Sequence, residues 1–304
     1  MAASCAVVEI ATEKSPRRGF HVGQQYQAWL FLLPLVLVLL LVAYPFVDAV
    51  WLSLTNKRVG FVPTFIGLAN FRELIKSEVF FTATANTLLF TFFSITMKLG
   101  IGMTMALALN QDFPFQNVVR GIMVLPWVIP TVVSVRIWYW MFNDMAGVIN
   151  TVLMRLHISR PIPWLAYRWL ALACITVVNI WRGFAFFGVN LLAGMQTIEL
   201  DLYEAAKVDG ANALQTFRHI TLPGLRHVIM VVTMLSSIWT LNDFQIVHIL
   251  TRGGPGTATM VYATLTYEIG IASLQLGRGI AVSLFLFPLI LIAIATLVYL
   301  MQHD

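Results

Sequence analysis

Long apolar runs separated by short polar stretches set the rhythm of this chain. Six stand out, at roughly 28–52, 80–109, 118–142, 168–195, 228–250 and 280–301. Each approaches or exceeds the ~20 residues needed to cross a ~30 Å hydrocarbon layer as a helix. The pattern predicts an all-α integral membrane protein with six transmembrane helices and both termini on one side. Pro126 and Pro130 fall inside the third run and predict a kink there, because proline removes a backbone donor. The segment LTRGGPGTAT, Leu250–Thr259, is a glycine/proline breaker that should end the fifth span. A polar tail over 1–27 holds Lys14, Arg17 and Arg18. The run after it is too long for a signal-peptide core of about 7–15 residues, so it reads as a retained first span.

Composition agrees with the pattern. The chain has 304 residues, 59% hydrophobic and only 11% charged, against about 25% charged in soluble domains. The net charge of +5 is dispersed, with no dense Lys/Arg run, so nucleic acid is not an expected partner. Cys5 and Cys174 give neither metal spacing nor a disulfide framework, and Cys174 reads as a small packing residue. The histidines form no close pair on one span. No nucleophile–base arrangement stands out, so an enzyme is not expected and no catalytic or metal residue is assigned. A phosphate loop of the form Gly-x-x-x-x-Gly-Lys-Ser/Thr is missing from the sequence, so any nucleotide would bind another chain.

One polar island interrupts the apolar pattern, EAAKVDGANALQTFRHITLP, Glu204–Pro223. Asp201 and Glu204 have capping-box spacing for a short helix running to about Val208. Gly210 supplies the left-handed turn that ends it, and Asn212 can cap a second short helix through Phe217. The expected product is a helix–turn–helix elbow at the membrane surface. Ala205 and Ala206 give it a smooth face for another protein's backbone. The competing reading is an amphipathic helix lying on lipid, but the island carries few large apolar residues and few cations. Lys and Arg residues fall almost evenly on the two sides, with a slight excess away from the termini, so charge does not fix the orientation.

The spacing of Glu204, Ala205, Ala206, Gly210, Ile220, Leu222 and Pro223 resembles the EAA loop of ABC importer permeases. Further matches are FIGLANF at Phe65–Phe71, LYEAAKVDGA at Leu202–Ala211, and the GGP segment at Leu250–Thr259. Together they resemble an inner-membrane permease of the binding-protein-dependent ABC importers, carbohydrate (maltose-type) branch. The resemblance implies a type I importer transmembrane domain over 28–304, with a cytoplasmic coupling loop at 199–223. It implies that Glu204, Ala205, Ala206, Asp209, Gly210, Ile220, Leu222 and Pro223 grip an ATPase. It also implies both termini in the cytoplasm of a bacterial or archaeal cell. The implied partners are a second homologous permease, two ABC ATPases carrying the ATP and Mg, an extracytoplasmic solute-binding protein and the lipid bilayer. This chain itself would hold no cofactor.

Charges within spans are costly and usually line a cavity, at about 2.5–3.5 kcal/mol each at the bilayer centre. Arg182 lies near the middle of the fourth span, sharing a helical face with Asn179, Gly183, Phe186 and Asn190 by spacing. Ser236, Trp239, Thr240 and Asp243 share a face of the fifth. An aromatic ring beside several hydrogen-bonding groups suits a sugar. The resemblance points to the same two stretches. An Arg182–Asp243 ion pair without solute contact is the alternative. Lys98 and Arg136 read as chains that snorkel to the interface, and His248 as interfacial. The expected function is ATP-driven import of a sugar, oligosaccharide or sugar-like polyol by alternating access. Glycerol phosphate or polyamine import, or an ATPase-independent secondary transporter, are the alternatives.

Overall fold

The computed structural model describes residues 22–302. Most of the tail expected over 1–27, with Cys5, Lys14, Arg17 and Arg18, therefore lies outside the described residues. The chain divides into two units, residues 1–48 and 49–304. The described part of the first belongs to one helix, α1 (Val22–Ser53), with Pro34 and Pro45 inside it and exposed leucines along it.

The second unit is helical among the described residues, apart from an isolated bridge between Thr55 and Phe65. Its elements are α2 (Ala69–Ile75), α3 (Glu78–Leu109), α4 (Gln116–Val128), α5 (Thr131–Met141), α6 (Val148–Arg155) and α7 (Arg168–Met195). Then follow α8 (Leu200–Val208), α9 (Ala213–Thr216), a π-helical turn (Phe217–Thr221), α10 (Leu222–Gly224), α11 (Arg226–Leu241) and α12 (Gln245–Leu250). The chain closes with α13 (Tyr262–Tyr267), a second π-helical turn (Glu268–Ala272), α14 (Leu276–Leu284) and α15 (Leu286–Gln302).

Among the described residues, four stretches are long and apolar enough to cross a membrane: Leu32–Ser53, Glu78–Leu109, Arg168–Met195 and Leu276–Thr296. The count reaches six if each of two bent helix pairs is one span. One bent pair is α4 with α5, in the third run; the other is Ala213–Gly224 with α11, which bend by 66° where the polar island leads into the fifth run. In the third run, α4 and α5 meet at 91° rather than at a mild kink. Ile129, at φ −63° and ψ 133°, is extended because a residue before proline is pushed out of the helical region. Pro130 then starts α5. In the fifth run the helix already breaks at Asn242–Phe244, before the GGP segment, and α12 continues from there.

α3 and α7 form the central pair. A Cβ on Gly102 would lie 2.5 Å from Phe187 Cβ and 2.9 Å from the Gly188 nitrogen, so the backbones approach at a point where a side chain does not fit. Close contact through small residues is how helices associate where lipid supplies no hydrophobic drive. One core cluster, with Ile95, Met105, Phe187, Leu191 and Val232, joins this pair to α11. Another, with Val135, Ile175, Val178, Ile246 and Val247, packs α5 and α12 against α7.

Two loop motifs are pinned by buried asparagines. Asn70 of FIGLANF donates through Nδ2 to the Ser53 and Thr55 carbonyls, at 2.7 and 2.8 Å. Asn86 of α3 donates to the Ala258 and Met260 carbonyls, at 2.9 Å each. The GGP segment is thereby strapped to α3, and the Tyr262 amide donates to Thr87 Oγ1 at 3.0 Å just beyond it.

Candidate functional site

The break between α11 and α12 lies beside a polar cavity of about 610 Å³, within the usual range of roughly 300–1,000 Å³ for ligand sites. Asn179, Arg182, Gly183 and Phe186 line it from α7. Ser236, Trp239, Thr240 and Asp243 line it from α11 and the break. The two faces read separately from helical spacing therefore meet across one space. Asn190 does not line this cavity, and its side chain bonds back to the Phe186 carbonyl at 2.7 Å.

Asp243 is held in place by the break itself. Its Oδ1 accepts from the Ile246 amide at 3.1 Å, which caps the first turn of α12, and its Oδ2 accepts from Asn179 Nδ2 at 2.9 Å. Among the described residues no ion pair of 4.0 Å or shorter joins Asp243 to Arg182. The Arg182–Asp243 pair considered from sequence is not formed; two amide donors hold the carboxylate instead. Arg182 Nε and Asn179 Oδ1 are buried without a protein partner. Aromatic rings close one side of the cavity. Phe186 packs against Trp239 at 5.0 Å between centroids and against Trp127 at 6.0 Å.

Lys98 corrects the sequence reading. It does not snorkel: only 4% of it is exposed, and its Nζ donates to Thr240 Oγ1 at 3.1 Å. Its stem runs against Gly183, where any Cβ would collide with Lys98 Cε. The lysine enters the cavity because α7 offers a glycine at that crossing. The signal was present in the sequence, since Lys98 sits close to the middle of its expected span, as Arg182 does. Trp127 was also missed; its neighbour Pro126 drew attention as a helix breaker and not as part of a wall.

His248, read as interfacial, stacks on Phe244 with 4.6 Å between ring centroids and meets Tyr267 at 5.0 Å. Arg136 is exposed and lines a smaller pocket with His248 and Arg252.

The polar island forms a second exposed feature. Glu204, Ala205, Asp209, Gly210, Leu222 and Pro223 are exposed, while Ala206 and Ile220 are half-buried. Gly210 has φ +75°. Its amide donates to the Lys207 carbonyl at 3.1 Å, and the Ala211 amide donates to the Ala206 carbonyl at 2.9 Å. That bond pair is a Schellman cap, which requires a left-handed residue at Gly210. Asn212 and Gln215 then form a reciprocal capping box at 2.8 and 2.9 Å. The box expected from Asp201 and Glu204 is not formed. α8 begins at Leu200 after Glu199, whose side chain makes no cap bond, so Asp201 already lies within the first turn. The helix thus starts two residues earlier than expected, just after Ile198, which packs against Gly224. The second short helix also runs further than expected, passing through the π-helical turn into α10. Tyr203 OH and Thr221 Oγ1, 3.1 Å apart, tie its end back to α8.

Residues 98–303 match the family of the binding-protein-dependent transport system inner membrane component. The chain belongs to this family. The permease is 37% identical over 269 residues to the trehalose/maltose transport system permease protein MalF of Thermococcus litoralis, covering 86% of this chain and 89% of that one. It is 34% identical over 288 residues to the sulfoquinovosyl glycerol transport system permease protein SmoG of Agrobacterium fabrum, covering 93% of each. Among solved structures, it superposes on a bacterial ABC transporter involved in import of the acidic polysaccharide alginate. The TM-score is 0.79 at 23% identity, over 93% of this chain and 97% of that one. The permease is thus an all-α, multi-pass protein of the cytoplasmic membrane with the fold of an ABC importer transmembrane domain.

Proposed function

We infer that this permease carries a sugar or oligosaccharide through the cavity between α7 and the α11–α12 break, and that ATP hydrolysis on a separate chain drives the passage. The observation that carries this reading is the cavity wall. Trp239, Phe186 and Trp127 offer ring faces to apolar C–H groups, while Asn179, Arg182, Thr240 and Asp243 offer partners to hydroxyls. Two relatives named for sugar or sugar-derivative transport support the same class.

The exposed island at Glu204–Pro223 is the coupling surface in this reading. Its α8 helix would seat in a groove of the ATPase, a helix-in-groove contact. Val208, 88% exposed, and Leu214, 73% exposed, are among the large apolar groups available for burial there. On this reading the island and both termini lie in the cytoplasm. Closure of two ATPases would move the islands of this permease and of a second, homologous one, and so alternate access to the cavity. Solute would arrive from an extracytoplasmic binding protein. The chain itself would perform no covalent chemistry and would hold no cofactor.

Co-purification and uptake test the reading together. The permease should purify with an ATPase, and Glu204→Lys should break that complex. Arg182→Ala should abolish sugar uptake while the complex stays assembled. ATP-independent uptake by the permease alone would sink the reading in favour of a secondary transporter.

A further inference from the structure

α5 and α12 pack against each other and carry side chains to two separate spaces. Thr131 and Gln245, at their starts, line the central cavity. Roughly one to two helical turns further along, Arg136, Tyr139, His248 and Arg252 line a second pocket of about 300 Å³. α11 and α12 run away from the island at Glu204–Pro223, so this pocket lies on the far side of the central cavity from it.

The second pocket is lined by basic side chains. Two guanidinium groups and an imidazole line it, and no Asp or Glu does. Neither arginine makes a side-chain hydrogen bond or ion pair among the described residues. Arg252 also sits in a left-handed conformation, φ +52°, fixed by bonds from its amide to the Val247 and His248 carbonyls at 3.1 and 3.2 Å. This conformation costs a side-chain-bearing residue energy that glycine would avoid, and Gly253 follows directly. Non-glycine residues held this way cluster at functional sites.

The central cavity carries the same sign. Lys98 and Arg182 face it against the single acid Asp243, whose oxygens already accept from Asn179 and Ile246. Positive groups thus line both spaces that α5 and α12 border, Lys98 from α3 and Arg182 from α7 in one, Arg136 and Arg252 in the other.

We propose that the pocket of Arg136, Arg252 and His248 is an anion-receiving station at the entrance of the solute path, and that the cargo is an acidic sugar. The acid is a carboxylate, sulfonate or phosphate on the sugar, gripped by guanidinium forks before the ring passes to the aromatic wall. This rests on the central cavity being a sugar path.

The test uses the assembled transporter in nanodiscs, without its binding protein, titrated with sodium glucuronate and with glucose at fixed ionic strength. Binding is followed by saturation-transfer NMR. The wild type is expected to prefer glucuronate by about tenfold or more. Arg136→Gln with Arg252→Asn should remove that preference. Asparagine tolerates the left-handed backbone, and Arg136 is exposed, so the fold should survive. Equal binding of both sugars by the wild type overturns the proposal, and so does a preference that survives in the double variant. A double variant that binds both sugars as the wild type does, yet no longer associates with the binding protein, overturns it too, because the cations then receive a protein's acidic side chains. Failure of the intact transporter to import any sugar, neutral or acidic, would instead sink the sugar reading itself.

Discussion

Lys98 on α3 reaches across to α11 and donates to Thr240 Oγ1 at 3.1 Å, three residues before the break at Asp243. A hydrogen bond from a buried ammonium to a threonine fixes the end of α11 beside the cavity. Lys98→Met should leave Thr240 without its donor and Asp243 without a neighbouring cation. It should destabilise the purified permease by about 1–3 kcal/mol and impair uptake. Thermal melting in detergent and proteoliposome uptake check both effects, and wild-type values in both would remove Lys98 from the site.

Gly183 gives Lys98 its path. Gly183→Ala should push the lysine stem aside and cost about 1–3 kcal/mol through overpacking. Shortening the obstacle should relieve it, so Gly183→Ala combined with Lys98→Ala should cost less than the sum of the single variants. Strict additivity in a double-mutant melting cycle would show that the two residues do not meet.

Asp243 has two separable roles. As the cap of α12, its loss in Asp243→Ala should cost about 1 kcal/mol. Asp243→Asn keeps an accepting oxygen for the Ile246 amide and should melt near the wild type, yet lose the charge. Comparing uptake by the two variants reads the charge separately from the cap. Unimpaired uptake in both variants would leave Asp243 as a structural cap alone.

At Gly210 the constraint is conformational rather than spatial, since nothing lies within 4 Å of the position a Cβ would take. Gly210→Asn should therefore retain the ATPase in co-purification, because asparagine tolerates φ > 0, whereas Gly210→Val should lose it. Loss of the ATPase by both variants alike would point to the surface at 210 instead of its backbone.

Asn86→Leu should free the GGP segment. Two carbonyls, of Ala258 and Met260, would lose their donor at a cost of about 1–3 kcal/mol. Hydrogen exchange should then quicken over 256–262 while α7 is unaffected. Unchanged exchange in that segment would show that the strap is redundant.

Most spans were legible because hydropathy needs only local counting: α3 and α7 fall close to their apolar runs. That the cavity-lining residues of α7 and α11 share one face of each helix was legible because a 3.6-residue period sorts them onto faces before any tertiary contact is known. The 91° turn at Ile129–Pro130 was legible in place but not in size, since the angle depends on what α4 and α5 pack against. The break at Asn242–Phe244 escaped notice. Asn242 and Asp243 are both compatible with a helix, and the break is stabilised by Asn179, sixty-four positions away in sequence. Lys98 was misread for the same kind of reason. A lone lysine in an apolar run looks like a snorkelling chain until its opposing glycine is known.

The tight crossing of α3 and α7 at Gly102 has a mechanical consequence. Two helices whose backbones touch with no side chain between them cannot slide or roll without opening a void. Under the proposed cycle this pair is the stator, and the moving parts hinge where the backbone is already interrupted, at Ile129–Pro130 and at Asn242–Phe244. Both joints adjoin the cavity whose access would alternate in that cycle, which would make a rigid frame and a moving door out of neighbouring turns of the same fold.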